Sequence, residues 1–261
     1  MSDFGYSAGG NRFASGVTTS CTTGAVNTKG SWTQIIASAP FDACGFYLST
    51  RPGGGTSQLL MDIGIGASGS EVIIAPDLFF SSEHTGGDLW DSIVYIPLRI
   101  KSGTRVAIRA QCNIATRSPS ANIMLVADAG GVFPSFGTMT AYNIDSSISS
   151  VVRFWSAGNW QEMTSSSVAA SALLALMAHP NTNNAWECTL SIAVGASGSE
   201  TALLEGVPIL SRGNEAYTHR VNPRNIPLTP CCIPAGTRIA AKATTVGGSF
   251  NTFGLAVYLF N

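Results

Sequence analysis

The residues of this chain that could do chemistry begin with a glycine-rich run, Gly64-Ile65-Gly66-Ala67-Ser68-Gly69, which fits the G-x-G-x-x-G pattern of dinucleotide-binding loops. In such loops the run opens a helix whose N-terminus faces the pyrophosphate. Here the residues from Glu71 to Pro76 are rich in β-branched side chains and end in proline, which predicts a strand instead. We therefore interpret the run as a turn that needs positive φ at one or more glycines, and we expect no cofactor.

Two glutamates and two arginines recur in matching places beside such turns. Glu71 and Glu200 end the two turns, and Arg105 and Arg238 begin later apolar segments. General acid–base catalysis needs two groups near one substrate with separated pKa values. A recurring glutamate with a recurring arginine more simply predicts one structural ion pair in each half, Glu71 with Arg105 and Glu200 with Arg238. Unrelated surface roles are the alternative.

The histidines do not form a recognisable catalytic or metal-binding pattern. His84, His179 and His219 lie at non-equivalent places in polar sequence, outside any H-E-x-x-H or G-x-S-x-G motif. We predict no catalytic residue and no metal site, and hence a protein that is not an enzyme. Trp90, Trp155 and Trp186 have two interpretations: stacking on sugar rings, as in lectins, or filling a domain end or a subunit interface.

The elements that position these residues occur twice. The six residues from Gly66 to Glu71 recur letter for letter from Gly195 to Glu200, an offset of 129 (195 − 66). Three further anchors recur in the same order at offsets of 128 to 133: Trp32 as Trp160, Ile96-Pro97-Leu98 as Ile226-Pro227-Leu228, and Gly103-Thr104-Arg105-Val106-Ala107 as Gly236-Thr237-Arg238-Ile239-Ala240. We interpret this pattern as a duplicated domain with small loop insertions.

The predicted domains are residues 1–130 and 131–261, because Asp128-Ala129-Gly130-Gly131 is a linker signal. Residues 1 to about 26 are rich in Gly, Ser, Thr and Asn, which predicts an arm or an edge strand. Its large apolar residues, Phe4, Tyr6 and Phe13, are candidates for docking into a groove of a neighbouring subunit.

Short strands are predicted within each half. Residues 105–110 alternate, with Val106 and Ile108 on one face and the two arginines on the other. Residues 254–260 are apolar on both faces, which predicts a central strand or one covered by another subunit, with Tyr258 and Phe260 as interface candidates.

Residues 167–178 have the composition of a helix. Shifted by 129 they align with residues 41–49, which have the composition of a strand, so we predict that both are strands. The predicted fold class is therefore all-β, with two tandem duplicated β-sandwich or jelly-roll-like domains.

Charge is unusually scarce: 11% of residues are charged, against about 25% in ordinary soluble proteins. The net charge is −1 without a basic cluster, which argues against nucleic-acid binding. No apolar run approaches membrane-spanning length and the N-terminus lacks a secretory signal, so we expect no membrane partner and synthesis inside a cell. We expect obligate self-assembly as a trimer or another homo-oligomer, with the six cysteines reduced.

The motif of a strand followed by Gly-Ala-Ser-Gly-Ser-Glu, with a later Ile-Pro-Leu and Ile-Pro-Ala-Gly-Thr-Arg-Ile-Ala, resembles virion structural proteins of tailed bacteriophages across residues 27–129 and 155–261. The resemblance implies tandem β-sandwich domains, no enzymatic activity, and assembly as trimers or hexamers on a symmetric particle. The expected function is a capsid decoration or cement protein that contacts itself and the major capsid protein, located in the virion after assembly in the host cytoplasm. The alternatives are a neck, tail-fibre or receptor-binding module that recognises host glycans, and a glycan-processing enzyme with paired carboxylates.

Overall fold

The computed structural model describes residues 2–4, 13–51, 57–82, 92–127, 135–144, 154–155, 158–180, 186–211, 224–247 and 253–261. The chain divides into two compact units, Met1–Met139 and Thr140–Asn261. The predicted boundary at residue 130 lies outside the described residues. None of the described residues is helical, so they include no helix that could cross a membrane.

The described residues form nineteen strands. The first ten are β1 (Ser2–Phe4), β2 (Phe13–Ser15), β3 (Thr19–Ser20), β4 (Thr33–Ile36), β5 (Ala43–Arg51), β6 (Ser57–Ile65), β7 (Val72–Ser82), β8 (Ser92–Ile96), β9 (Val106–Cys112) and β10 (Ser120–Ala127). The other nine are β11 (Met139–Tyr142), β12 (Phe154–Trp155), β13 (Gln161–Thr164), β14 (Ser171–Pro180), β15 (Trp186–Val194), β16 (Thr201–Ser211), β17 (Arg224–Ile233), β18 (Ile239–Gly247) and β19 (Phe253–Phe260).

The first unit contains two antiparallel sheets. One has the order β1-β2-β10-β5-β8, with β3 also paired to β10, and the other has the order β4-β9-β6-β7. Taken in chain order, β2 and β4 to β10 distribute between the two sheets in the pattern of an eight-stranded jelly roll. The all-β prediction is therefore confirmed for the described residues.

The second unit repeats this strand order. Its sheets are β11-β19-β14-β17, with β12 also on β19, and β13-β18-β15-β16. Replacing β2 and β4 to β10 by β11 and β13 to β19 converts one pattern into the other. Buried side chains from both sheets, among them Leu190 and Ile239 from one and Leu174 and Val257 from the other, form one core. The matching orders support the hypothesis of a duplicated domain.

Two sequence patterns of the second unit are explained by strand position. The segment of helical composition is strand β14, as the repeat predicted, because β17 and β19 pair with its two edges. Strand β19 is an inner strand, flanked by β14 and by β11 and β12. Tyr258 and Phe260 are 1% and 2% exposed, so these interface candidates are buried within the chain rather than presented to another subunit.

The predicted N-terminal arm is built into the first unit where it is described. Strand β2 pairs with β10, placing Phe13 beside Val126, and β3 pairs with the other end of β10. Ala14 is fully buried, and Phe13 is half-buried. Phe4 lies on β1, which pairs with β2, and Tyr6 lies outside the described residues. Residues 13–15 and 19–20 pair with β10 and so are not a free docking arm, and β1, which pairs with the other side of β2, is the edge strand of this sheet.

Deleting residues 1–20 is therefore expected to destabilise the first unit. The N–H of Gly16 donates to the Ile123 carbonyl at 2.8 Å, and the side chain of Asn122 donates to the Gly16 carbonyl at 2.8 Å. Each buried partner left unsatisfied costs about 1–3 kcal/mol, so we expect the free energy of unfolding to fall by roughly 2 kcal/mol or more. Denaturant unfolding of the truncated and full-length chains measures this, and equal midpoints would contradict the integration of these strands.

Candidate functional site: the Arg–Glu turns

The conspicuous repeated feature of the described chain is a glycine turn fixed by an arginine and a glutamate, here called an Arg–Glu turn. The first turn, residues 66–71, connects β6 to β7. Gly66 and Gly69 have φ values of 110° and 83°, which confirms the predicted need for glycine. The turn leads into strand β7, so the helix that a dinucleotide loop requires is absent here.

The predicted Glu71–Arg105 ion pair is present in the first turn. Arg105 Nη1 donates to Glu71 Oε1 at 2.8 Å and to the Gly66 carbonyl at 3.2 Å, while Arg105 Nε donates to Gln34 Oε1 at 2.9 Å. The other carboxylate oxygen, Oε2, accepts the Gly69 N–H at 3.0 Å. Arg105, which immediately precedes β9, thus connects that strand to β4 and to both ends of the turn.

The second turn, residues 195–200, connects β15 to β16 with the same contacts. Arg238 Nη1 donates to Glu200 Oε1 at 3.2 Å and to the Gly195 carbonyl at 3.1 Å. Arg238 Nε donates to Glu162 Oε2 at 2.9 Å, and Glu200 Oε2 accepts the Gly198 N–H at 3.0 Å. The predicted Glu200–Arg238 pair is therefore also present, with φ values of 112° and 84° at the two glycines.

Both carboxylates are largely shielded from solvent. The side chains of Glu71 and Glu200 are 2% and 6% exposed. Burial opposes the ionisation of Glu71, but hydrogen bonds from its own backbone, from Arg105 and from Gly69, together with the charge of Arg105, outweigh it and lower its pKa. The pKa of Glu200 is lowered in the same way, with desolvation outweighed by its own backbone, Gly198 and Arg238.

This geometry supports a structural role for the glutamates. Both oxygens of Glu71 accept hydrogen bonds from the protein, and so do both oxygens of Glu200. A lowered pKa is the opposite of what a general acid needs near neutral pH. The arrangement presents a turn of fixed conformation, with the tip residues 67–70 and 196–199 exposed to solvent.

The third hydrogen-bond partner of each arginine, Gln34 or Glu162, could also have been predicted from the repeat. Gln34 and Glu162 stand two residues after the recurring Trp32 and Trp160, at the same offset of 128 (162 − 34 and 160 − 32). Because β4 pairs with β9, and β13 with β18, a side chain at that position reaches the arginine that immediately precedes the neighbouring strand. A change of type from amide to carboxylate hid the correspondence.

A second polar cluster lies on the same sheet of the first unit. Asp62, 2% exposed, accepts hydrogen bonds from Lys29 Nζ at 2.7 Å, from Arg109 Nε at 2.8 Å and from the backbone N–H of Asp77 at 2.9 Å. Lys29 Nζ also lies 2.8 Å from Asp77 Oδ1 and 3.2 Å from the Leu60 carbonyl. Two cations and two carboxylates balance in charge, and the three N–H groups of the ammonium have one acceptor each, which makes this a structural cluster.

The second unit keeps the geometry of that cluster and loses its carboxylates. Ser191 stands where Asp62 does, and its hydroxyl accepts the N–H of Gly206 at 3.1 Å. Asp77 and Gly206 both have positive φ, 49° and 65°. A cation also lies over a tryptophan in both units: Arg109 over Trp32 at 4.6 Å and Lys242 over Trp160 at 4.9 Å. The bonded backbone N–H and the cation over the tryptophan are thus shared, and the buried carboxylates are particular to the first unit.

The histidines and the other three tryptophans that the sequence offers as candidates lie outside the residues whose side chains are described. His84, His219 and Trp90 lie outside the described part of the chain, and His179, Trp155 and Trp186 are placed on strands without description of their side chains. No described group of three or more His, Cys, Asp or Glu side chains could hold a metal. Cys21, Cys44 and Cys112 are buried, and burial raises the pKa of Cys21 to about 11.

No protein-family model matches the chain, and no curated protein matches it in sequence. Among solved structures, that of PNGF-II is similar with a TM-score of 0.46 and 10% identity, covering 95% of this chain and 65% of that chain. The VP2 subviral particle of infectious bursal disease virus is similar with a TM-score of 0.27 and 11% identity, covering 96% and 72%. The T13 particle of that virus gives a TM-score of 0.28 and 10% identity, covering 96% and 69%. Likenesses this weak establish no shared function, and the resemblance to tailed-bacteriophage proteins stays a prediction.

Substitution of the turn glycines by alanine should destabilise the protein to different degrees. Every substitution there places a side chain at positive φ, which costs about 1–3 kcal/mol. A Cβ on Gly195 would also meet the Ser199 carbonyl oxygen at 2.9 Å, whereas on Gly66 the nearest atom is at 3.4 Å and on Gly69 nothing lies within 4 Å. We expect Gly195→Ala to destabilise more than Gly66→Ala or Gly69→Ala, as measured by denaturant unfolding. Equal losses at the three sites would contradict the contact at Ser199.

Acid should weaken both Arg–Glu turns. Because the folded chain lowers the pKa of Glu71 and Glu200 below the ordinary 4.5, their contribution to stability is present above that pH and is lost as the pH falls through the folded pKa. We expect Glu71→Gln and Glu200→Gln to lower the melting temperature at neutral pH, and the difference from the parent chain to shrink in strong acid. Glu205→Gln, at an exposed position of β16, is the control and should change little. A difference that stays constant with pH would contradict the linkage.

Proposed function

We propose that this chain is a non-enzymatic structural protein of a virion, and that it acts as a capsid decoration or cement protein. The observation that carries the proposal is the pair of units with the same jelly-roll strand order in a chain with only 11% charged residues. Jelly rolls are a common architecture of viral capsid and lectin domains. Fold alone does not decide between such roles. Two further features favour a structural role: the scarcity of charge on the surface, and the engagement of both Glu71 oxygens and both Glu200 oxygens in hydrogen bonds within the fold.

The composition of the surface favours an assembled protein over a monomer in solution. A soluble chain with little charge tends to self-associate, and burial in interfaces removes the need for charged side chains. The exposed tips of the Arg–Glu turns, residues 67–70 and 196–199, are small and neutral. A turn of fixed conformation loses little conformational entropy when a neighbour packs on it. These features suit repeated contacts around a symmetric shell.

The mechanism of such a protein is removal of surface from water between neighbouring subunits. Apolar surface contributes roughly 25 cal/mol per Å² buried, and a stable interface covers about 1,200–2,000 Å². A trimer that bridges capsomers repeats each contact by symmetry, so a modest interface adds up over the particle. The partners in this proposal are further copies of the chain and the major capsid protein.

Copy number in purified particles tests the proposal. We expect quantitative mass spectrometry of virions from the source of this chain to find hundreds of copies, in a fixed ratio to the major capsid protein, which is the internal control. About a dozen copies would contradict a capsid role and favour a neck or tail module, with glycan recognition as its function. Absence from the particle would overturn the proposal altogether.

A further inference from the structure

The polar cluster around Asp62 holds an amine against a buried carboxyl group. Lys29 Nζ lies 2.7 Å from Asp62 Oδ1, and the two side chains are 17% and 3% exposed. The carbon Cγ of Asp62 is one bond away from that oxygen, so a nucleophile and an electrophile lie next to each other. An amine and a carboxyl group held in this way are the two components of an amide bond, and their proximity removes most of the entropic cost of joining them.

Two further residues of the cluster lie where the formation of an amide needs them. Asp77 Oδ1 lies 2.8 Å from Lys29 Nζ, where it can act as a general base toward the ammonium group. Arg109 Nε donates to Asp62 Oδ2 at 2.8 Å, and the backbone N–H of Asp77 donates to Asp62 Oδ1 at 2.9 Å. Donors at these positions stabilise the negative charge that develops on the two oxygens when a nucleophile adds to Cγ.

The second unit lacks the amine and both carboxyl groups. The residues that correspond to Lys29, Asp62 and Asp77 are Ala157, Ser191 and Gly206. The first correspondence follows from the offset of 128 (157 − 29), the same as that between the recurring tryptophans. It is supported by the glycine that comes next, since Gly30 donates its N–H to the Ala110 carbonyl at 2.9 Å and Gly158 donates to the Ala243 carbonyl at 2.8 Å. The three groups therefore occur as a set, and the second unit is an internal control for their chemistry.

We propose that Lys29 and Asp62 join in an intramolecular amide bond between Nζ and Cγ, with Asp77 as the residue that moves the proton. Asp77 takes one proton from the ammonium group, and the free amine adds to Cγ of Asp62. Oδ1 then receives that proton from Asp77 and a second proton from the nitrogen, and it leaves as water. The reaction consumes one ammonium and one carboxylate, forms one amide and one water molecule, and returns Asp77 to its ionised form, so it needs no co-reactant.

The fold makes this condensation favourable, although free amines and carboxylates do not condense in water. Groups held in contact reach effective concentrations of about 10⁵–10⁸ M, and the burial of Asp62 limits the access of competing water. The charges that remain after the reaction, those of Asp77 and Arg109, balance each other. The bond fixes the segment that precedes β4 to strand β6, and this inference goes beyond the virion role and does not depend on it.

Mass spectrometry of the full chain tests the bond. We expect the intact protein, with or without Met1, to be lighter than its sequence by the mass of one water molecule. Trypsin cleaves neither after an acylated lysine nor before a proline, so the bonded chain should yield residues 13–99 as one peptide that lacks one water, whereas the unbonded chain yields residues 13–29 and 30–99. A dehydrated aspartate elsewhere would leave Lys29 open to cleavage, which separates it from the proposed bond.

Three variants separate the bond from an ordinary ion pair. K29R keeps the positive charge without the amine, and D77N keeps a residue that tolerates the φ of 49° but cannot take up the proton. We expect both to have the full mass of their sequences, whereas K242R, the matched control beside Trp160, should still lack one water. A parent chain of full sequence mass that is cleaved after Lys29 overturns the bond, and a D77N chain that still lacks the water overturns the role of Asp77. Absence from purified particles overturns the virion role alone.

Discussion

The geometry of each four-stranded sheet near its Arg–Glu turn depends on the hydrogen bonds of one guanidinium, that of Arg105 in the first unit and of Arg238 in the second. Each connects two pieces of chain that are far from the arginine in sequence: the turn, through the carbonyl that begins it and the carboxylate that ends it, and a side chain on the first strand of the sheet. An arginine suits this role because its planar fork offers several donors in fixed directions. A lysine carries its donors on one nitrogen, whereas Arg105 uses two, Nε toward Gln34 and Nη1 toward the turn.

Comparison of the two units shows which residues of the Arg–Glu turn are the same and which differ. The glycines, the glutamate and the arginine are the same in both, whereas the third acceptor is an amide in one unit and a carboxylate in the other. The same holds for the positive-φ residue in the strand that follows. Its N–H is accepted by buried Asp62 in the first unit and by Ser191 in the second. What is common is a buried acceptor for a backbone donor, because an orphaned N–H would be costly. Whether that acceptor is charged depends on the cations nearby.

The predictability of the fold follows from these differences. Strand β14 was predicted because the repeat outweighed its helical composition, and strand pairing on both sides explains why alanine and leucine are held in a strand there. The ion pairs were predicted because charge recurs rarely in this sequence. The place of the N-terminal residues was not predictable, since Ala14 is buried by its pairing with β10, a contact of long sequence separation. The Asp62 cluster had no signal either, because its counterpart in the second half is a serine.

The scarcity of charge gives the edges their importance. In a protein with many lysines and glutamates, edge strands are protected by repulsion, and association needs a dedicated apolar patch. Here the carboxylates of the two turns and Asp62 form ion pairs with cations of the same unit, so these charges do not protect the edges. The remaining surface is governed by small polar groups and by backbone geometry. On such a surface, Val72-Ile73 and Thr201-Ala202, at otherwise equivalent places, differ mainly in the apolar area that they expose.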